Sequence, residues 1–198
     1  FWNWAGKNTQ VWKDHTNFPK HKKQKKNPWT PEEVTLLYEK LRASNHVTSQ
    51  WLRNAVWIAA HTGARMGAVA LLEYNQKDQT IFFPALKNEE NGRTIPAHPA
   101  IRENLKEWAV NRRNKGTIGN RFTEFKTKEG FEAGKEFHSF RRTFITEMEN
   151  LECPENVCYD ITGHKKPTIG FGTYSGGSKL ELMEKYLFQL EYPQPKQS

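Results

Sequence analysis

The segment Pro19-Lys20-His21-Lys22-Lys23-Gln24-Lys25-Lys26-Asn27-Pro28 constrains the chain most, because no compact element can be built through it. Five lysines without an acid repel one another, and the bounding prolines lack amide donors, so an extended run is expected. It divides the 198 residues into an aromatic stub, 1–18, a basic interdomain linker, 19–29, and a body, 30–198. The body is long enough for one ample core, by the soft prior of roughly 100 to 200 residues per domain. The sequence opens at Phe1 and not at a methionine, so an upstream part is expected beyond it.

The five linker lysines carry more than half of the formal surplus of +8. A localised positive surplus points to a polyanionic partner, since Lys and Arg release condensed counterions when they neutralise phosphates. Aromatic residues reach 13%, enough bulk for a core, which argues against disorder throughout. With only Cys153 and Cys158, a disulfide scaffold is excluded and a reduced, cytoplasmic setting is expected. No window approaches the roughly 18–20 apolar residues of a membrane span, and the first residues lack the pattern of an export signal. A soluble protein with no membrane partner is expected.

After the linker, Thr30-Pro31-Glu32-Glu33 reads as a capping box with proline at the first helical position. A helix is predicted from there to about Ala43, with Val34, Leu37 and Leu41 inward. A second is predicted over 49–61, ended by Gly63, and a short third over 66–73. The β-rich runs 79–84 and 93–97 predict an antiparallel hairpin. Helices are predicted over 99–115, 139–150, 154–162 and 179–190, with 116–134 irregular and the glycine-rich stretch 168–177 mobile. The fold class is therefore mainly α with a small antiparallel β-sheet.

Four pieces place phosphate-binding or proton-transfer side chains beside turns. In His61-Thr62-Gly63-Ala64-Arg65 an arginine leaves a helix end, where its fork can meet a phosphate bidentately. Lys87 closes the first strand of the hairpin, and Lys77 lies at the hairpin's other end as an alternative. In His138-Ser139-Phe140-Arg141 a spacing of three sets imidazole and guanidinium on one helical face. Gly163-His164, followed by Tyr174 among glycines, adds a second imidazole and a phenol. Cys153, Cys158 and His164 lack a fourth ligand at suitable spacing, so neither a metal nor another cofactor is expected.

The order Arg, Lys, His-x-x-Arg, Gly-His, Tyr resembles the signature of the tyrosine recombinase (phage integrase) catalytic domain, and the resemblance runs from about Thr30 to Tyr192. Residues 1–18, with Phe-Trp-Asn-Trp-Ala, resemble the final helix of the core-binding domain that such integrases carry upstream. The resemblance implies Arg65, Lys87, His138, Arg141, His164 and Tyr174 as catalytic residues. It also implies double-stranded DNA as partner, no small-molecule substrate, and a tetramer on paired sites in which the C-terminal helix docks on a neighbouring protomer; Leu180, Met183 and Leu187 of that helix could equally pack in cis. The setting it implies is bacterial or phage-encoded and nucleoid-associated. Lys20, Lys22, Lys23, Lys25 and Lys26 are expected to follow the DNA backbone. One departure is visible: the family usually has an acid three positions after the first arginine, and here that position is Ala68.

The chemistry needs these residue types. Guanidinium groups stay charged at any working pH and can stabilise the charge that develops on a phosphodiester under attack. A phenol with a pKa of about 10 attacks poorly until a base or nearby cations favour phenolate, the part implied for His138 as base or base-assistant. The leaving 5′-oxygen needs a proton, which Lys87 would supply as general acid. A 3′-phosphotyrosyl link formed by Tyr174 would conserve the bond energy, so that another 5′-hydroxyl can reverse the step. Two other readings stay open: topoisomerase-like or resolvase activity with the same residues, and a DNA-binding or architectural protein that has lost cleavage, to which Ala68 points.

Overall fold

The structure, a computed structural model, describes residues 26–44, 46–86, 92–164 and 177–193. The stub 1–18, Lys20, Lys22, Lys23, Lys25, Lys87 and Tyr174 lie outside the described residues. Eight α-helices are present among them: α1 Pro31–Ala43, α2 Val47–Thr62, α3 Met66–Leu71, α4 Arg102–Asn111, α5 Lys115–Lys128, α6 Ser139–Asn150, α7 Glu155–Thr162 and α8 Leu180–Leu187. Three strands, β1 Glu73–Asn75, β2 Thr80–Phe83 and β3 Arg93–Pro96, form one antiparallel sheet in the order β1-β2-β3.

The first helix starts as its capping box requires: Thr30 Oγ1 accepts from the Glu33 amide and Glu33 returns a bond to the Thr30 amide. Helix α2 is apolar on nearly all sides, with Trp51, Leu52, Ala55, Val56, Ile58, Ala59 and Ala60 buried. A helix of that kind belongs in the middle of a domain, and α1, α3, α4, α5 and α6 all pack on it. The sheet turns Ile81, Phe83 and Ile95 inward in alternation, and β3 packs against α7 and α8.

Trp29 enters the core, although it falls at the end of the expected linker. Its ring stacks on Phe140 at 5.4 Å, meets Phe122 and Phe131 edge-on, and its indole donates to the Glu136 carbonyl. Burying an aromatic of this size stabilises a fold by roughly 2–3 kcal/mol, so it anchors the chain one residue before the capping box.

Three expectations about elements change. The third helix stops at Leu71, and Glu73–Asn75 pairs as β1 with Glu73 opposite Phe82, so the hairpin becomes a three-stranded sheet. Second, 116–134 is not irregular throughout. Asn114 accepts from the Thr117 amide and caps α5, which buries Ile118, Phe122 and Lys126 on one side. Gly116 and Gly119 obscure that periodicity in sequence, and packing against α2 and α3 outweighs their poor propensity. The helix predicted over 99–115 divides into a 3₁₀ turn, Pro99–Ile101, and α4, which ends at Asn111.

Candidate active site

Two helices, α2 and α7, end in the same way. Gly63 (φ +61°) and Gly163 (φ +70°) adopt the left-handed conformation, and their amides bond back to Ala59 and Tyr159. The two ends touch: a Cβ on Gly63 would lie 2.6 Å from Phe144 Cδ1 and 3.0 Å from Thr162 Cγ2. Each turn delivers a site residue, Arg65 after the first and His164 after the second.

Arg141 sits between the turns and is only 2% exposed. Its Nη1 donates to the Gly63 carbonyl at 2.9 Å and also to the Thr162 carbonyl. Both carbonyls belong to helix C-terminal ends, where unsatisfied acceptors and the macrodipole favour a cation. A buried guanidinium is tolerable on these terms, whereas a buried charge without such partners costs several kcal/mol. Its Nε lies 3.3 Å from His164 Nε2.

Since an arginine N–H can only donate, His164 Nε2 accepts there and the ring proton lies on Nδ1. That nitrogen is 3.2 Å from Thr162 Oγ1, whose own hydroxyl donates to the Cys158 carbonyl at 2.7 Å. Burial pushes the His164 imidazole down to about 4, helped by Arg141, Arg65, His138 and Arg93.

His138 stands exposed immediately before α6 and lines a cleft of about 750 Å³ with Arg65, Met66, Gly67, Leu71 and Leu86. Partial desolvation of the ring by the cleft wall lowers its pKa from the ordinary imidazole value, and Arg141, Arg142, Arg65 and Lys26 add to that. Helical spacing thus brings His138 and Arg141 to one site, but at different depths: the imidazole at the rim, the guanidinium in the wall. Both imidazoles are neutral at neutral pH, so His138 can accept a proton.

The loop leading to His138 is held by two buried lysines. Lys126 Nζ donates to the carbonyls of Ala133 at 3.0 Å and Lys135 at 2.8 Å, and Lys135 in turn pairs with Glu33. The sequence marks these only as basic residues; their carbonyl partners come from the folded loop. Lys26, expected on the DNA backbone, pairs with Glu136 at 2.8 Å, and Arg142 donates to its carbonyl. Lys26 therefore lies at the His138 rim.

Lys77, the alternative to Lys87, is in the β1–β2 turn, at the end of β2 away from Leu86 and the cleft. Four residues after Tyr174, Ser178 donates from its amide (2.8 Å) and hydroxyl (2.7 Å) to Asp160 on α7. Ala68 is buried in α3. Among the described residues no group of three His, Cys, Asp or Glu side chains is placed to hold a metal ion. No helix among them is long and apolar enough to cross a membrane.

Sequence reasoning missed Arg93. It opens β3, half-buried, with Nε 2.9 Å from the Ile161 carbonyl and its guanidinium 4.5 Å from the Phe83 ring centroid. Nothing local marks it, because its partner is 68 positions away.

No protein-family model matches the chain, and no curated protein matches it in sequence. Solved structures do. The Tn1549 transposon integrase, in complex with circular intermediate DNA, superposes with a TM-score of 0.61 at 15% identity over 91% of this chain and 74% of that one. An integrase from mycobacterium phage Brujita gives 0.64 at 14% identity over 93% and 65%. A lambda integrase dimer bound to a COC′ core site gives 0.58 at 20% identity over 78% and 63%. The chain thus spans about two thirds to three quarters of the first two and rather less of the third. With the helices around α2, the three-stranded sheet and Arg65, His138, Arg141 and His164 drawn to one place, the chain has the fold of the tyrosine recombinase catalytic domain.

Proposed function

We propose that this protein is a site-specific DNA recombinase that cleaves and rejoins strands through a 3′-phosphotyrosyl intermediate on Tyr174, integrating or excising a mobile element. The observation that carries the reading is the convergence of Arg65, His138, Arg141 and His164, with Ser178, four residues after Tyr174, bound to Asp160 on α7. Arg65 and Arg141 hold the nonbridging oxygens of the scissile phosphate. The arriving anion offsets the cations that, after burial, keep His164 neutral and draws Arg141 to itself, so the Nε2 that Arg141 releases can take a proton and donate to the phosphate.

His138, neutral before substrate arrives, takes the phenol proton as Tyr174 attacks phosphorus. The P–O5′ bond breaks, and Lys87 protonates the leaving oxygen. Leu86 lining the cleft favours Lys87 over Lys77 for that part. Lys20, Lys22, Lys23, Lys25 and Lys26 follow the backbone, with Lys26 nearest the site, and four copies assemble on paired sites through the C-terminal helix.

The test is a pool of nicked suicide duplexes of random sequence, incubated with the full chain and denatured. Covalently held DNA from the native protein, absent with Tyr174→Phe, is expected. DNA retained without any covalent adduct would instead favour a binding protein that does not cleave, the reading to which buried Ala68 points. Lys87→Ala should regain cleavage on a substrate with a 5′-bridging sulfur, which leaves without a proton; no rescue assigns the acid elsewhere.

A further inference from the structure

The Gly163–His164 corner rests on a guanidinium that the recombinase motifs do not include. Arg93 reaches from the start of β3 to the end of α7, donates from Nε to the Ile161 carbonyl at 2.9 Å, and lies over Phe83. A Cβ placed on Gly163 would be 2.5 Å from Arg93 Nη1 and 2.9 Å from its Cζ, so the guanidinium lies directly against the turn. Two of the last carbonyls of α7 are therefore capped by side chains, Ile161 by Arg93 and Thr162 by Arg141.

We propose that Arg93 is a positioning residue for His164, clamping the end of α7 to the sheet so that the imidazole is held against Arg141. The inference rests on the proposed role of His164 toward the scissile phosphate. The backbone between Ile161 and His164 contains a left-handed glycine, the easiest place for the corner to relax. With Arg93 in place that glycine has the guanidinium against it and its preceding carbonyls are both taken. The glycine is then required twice, by its φ of +70° and by the guanidinium beside it. The Phe83 ring packs on the guanidinium, its centroid 4.5 Å from Cζ, which explains why a cation at this strand start is half-buried and not simply solvated.

Arg93 is also one of the cations facing His164, after Arg141, Arg65 and the His138 ring, while the Nδ1 side of His164 faces Thr162. Removing it changes both the height of the ring and its titration. A residue that only stabilised the fold would change neither in a protein that remains folded.

The experiment uses the full chain with Arg93→Gln and Arg93→Lys, checked for fold by urea unfolding. The histidine side chains are followed by nitrogen-detected NMR, and the rate of covalent adduct formation is measured on a duplex recovered from the random pool. In Arg93→Gln the His164 midpoint should rise while those of His61 and His98 stay put. Adduct formation should slow by up to ~10²-fold, the cost of a misplacement of about 1 Å, with DNA affinity changed by less than about twofold. Arg93→Lys keeps the charge without the guanidinium, so it should restore the midpoint but not the rate. A folded Arg93→Gln with native His164 titration, or with the native adduct rate, overturns the proposal. If Arg93→Gln does not fold, a native rate in Arg93→Lys does so. Because the NMR readout needs no cleavage, native protein that forms no adduct would sink the recombinase reading and leave the clamp to be judged by titration.

Discussion

The body holds two pairs of histidines whose imidazoles are all depressed, by different surroundings. His61 and His98 lie 4.9 Å apart under Trp57, Tyr192 and Phe188, in an aromatic pocket closed by the C-terminal segment. Burial pushes His61 down to about 3, with His98 beside it, and pushes His98 down to about 4, with help from Arg102. His164 also reaches about 4, but after burial its causes are Arg141, Arg65, His138 and Arg93. The first pair is neutral because water is excluded, and the second is also neutral because cations have gathered. Only the second arrangement can be reversed by an incoming anion. A depressed imidazole therefore does not identify a site; the identity of the neighbours that depress it does.

The largest expected effect concerns the cation that organises the second pair. Arg141→Ala leaves the Gly63 and Thr162 carbonyls without this donor and a cavity where the side chain stood, and should cost about 3–5 kcal/mol in urea unfolding. Arg141→Lys keeps the charge but cannot bond both carbonyls and face His164 in one plane, so adduct formation should fall steeply in a protein that still folds. Full activity in Arg141→Lys would mean that charge alone matters there.

Acid should act chiefly through the first pair. His61 is neutral in the folded chain down to about pH 3, whereas an unfolded histidine takes a proton near 6.5. The unfolded state therefore binds more protons as pH falls between those values, and stability, complete above about 6.5, is lost progressively. At roughly 1.4 kcal/mol per unit the loss amounts to a few kcal/mol by pH 4. Unfolding free energies measured across pH should flatten in His61→Phe; an unchanged slope would move the acid sensitivity to the site histidines.

Glycine substitutions give a smaller, local test. Gly63→Ala puts a Cβ into Phe144 at positive φ and should cost about 2–3 kcal/mol. Gly130→Ala, at φ +74° with nothing within 4 Å, should cost only about 1 kcal/mol. Equal losses in thermal unfolding would remove the packing part of the argument.

The smallest effect is a shift of midpoints. Inorganic phosphate should raise the His164 and His138 titrations and leave His61 and His98 where they are, as followed by NMR. Parallel movement of both pairs would erase the distinction between them.

Much of this organisation could be read along the chain. Thr30 and Glu33 announce the start of α1, and the glycines at 63 and 163 announce where α2 and α7 stop, because caps are short-range chemistry between residues at most four apart. Helix α5 was hidden by its two glycines, and β1 by its short length, since only pairing with β2 makes Glu73–Asn75 a strand. The His138-x-x-Arg141 spacing sets both residues at the start of α6, yet nothing in it distinguishes the exposed member from the buried one.

The order of the site residues and the helix ends that carry them were thus settled within the linear chain, where neighbours along the backbone satisfy one another. Their depth was not. Arg141 meets carbonyls 78 and 21 positions away, and Arg93 meets one 68 positions away, so burial, charge state and the partner of each guanidinium exist only once distant helix ends have been packed together.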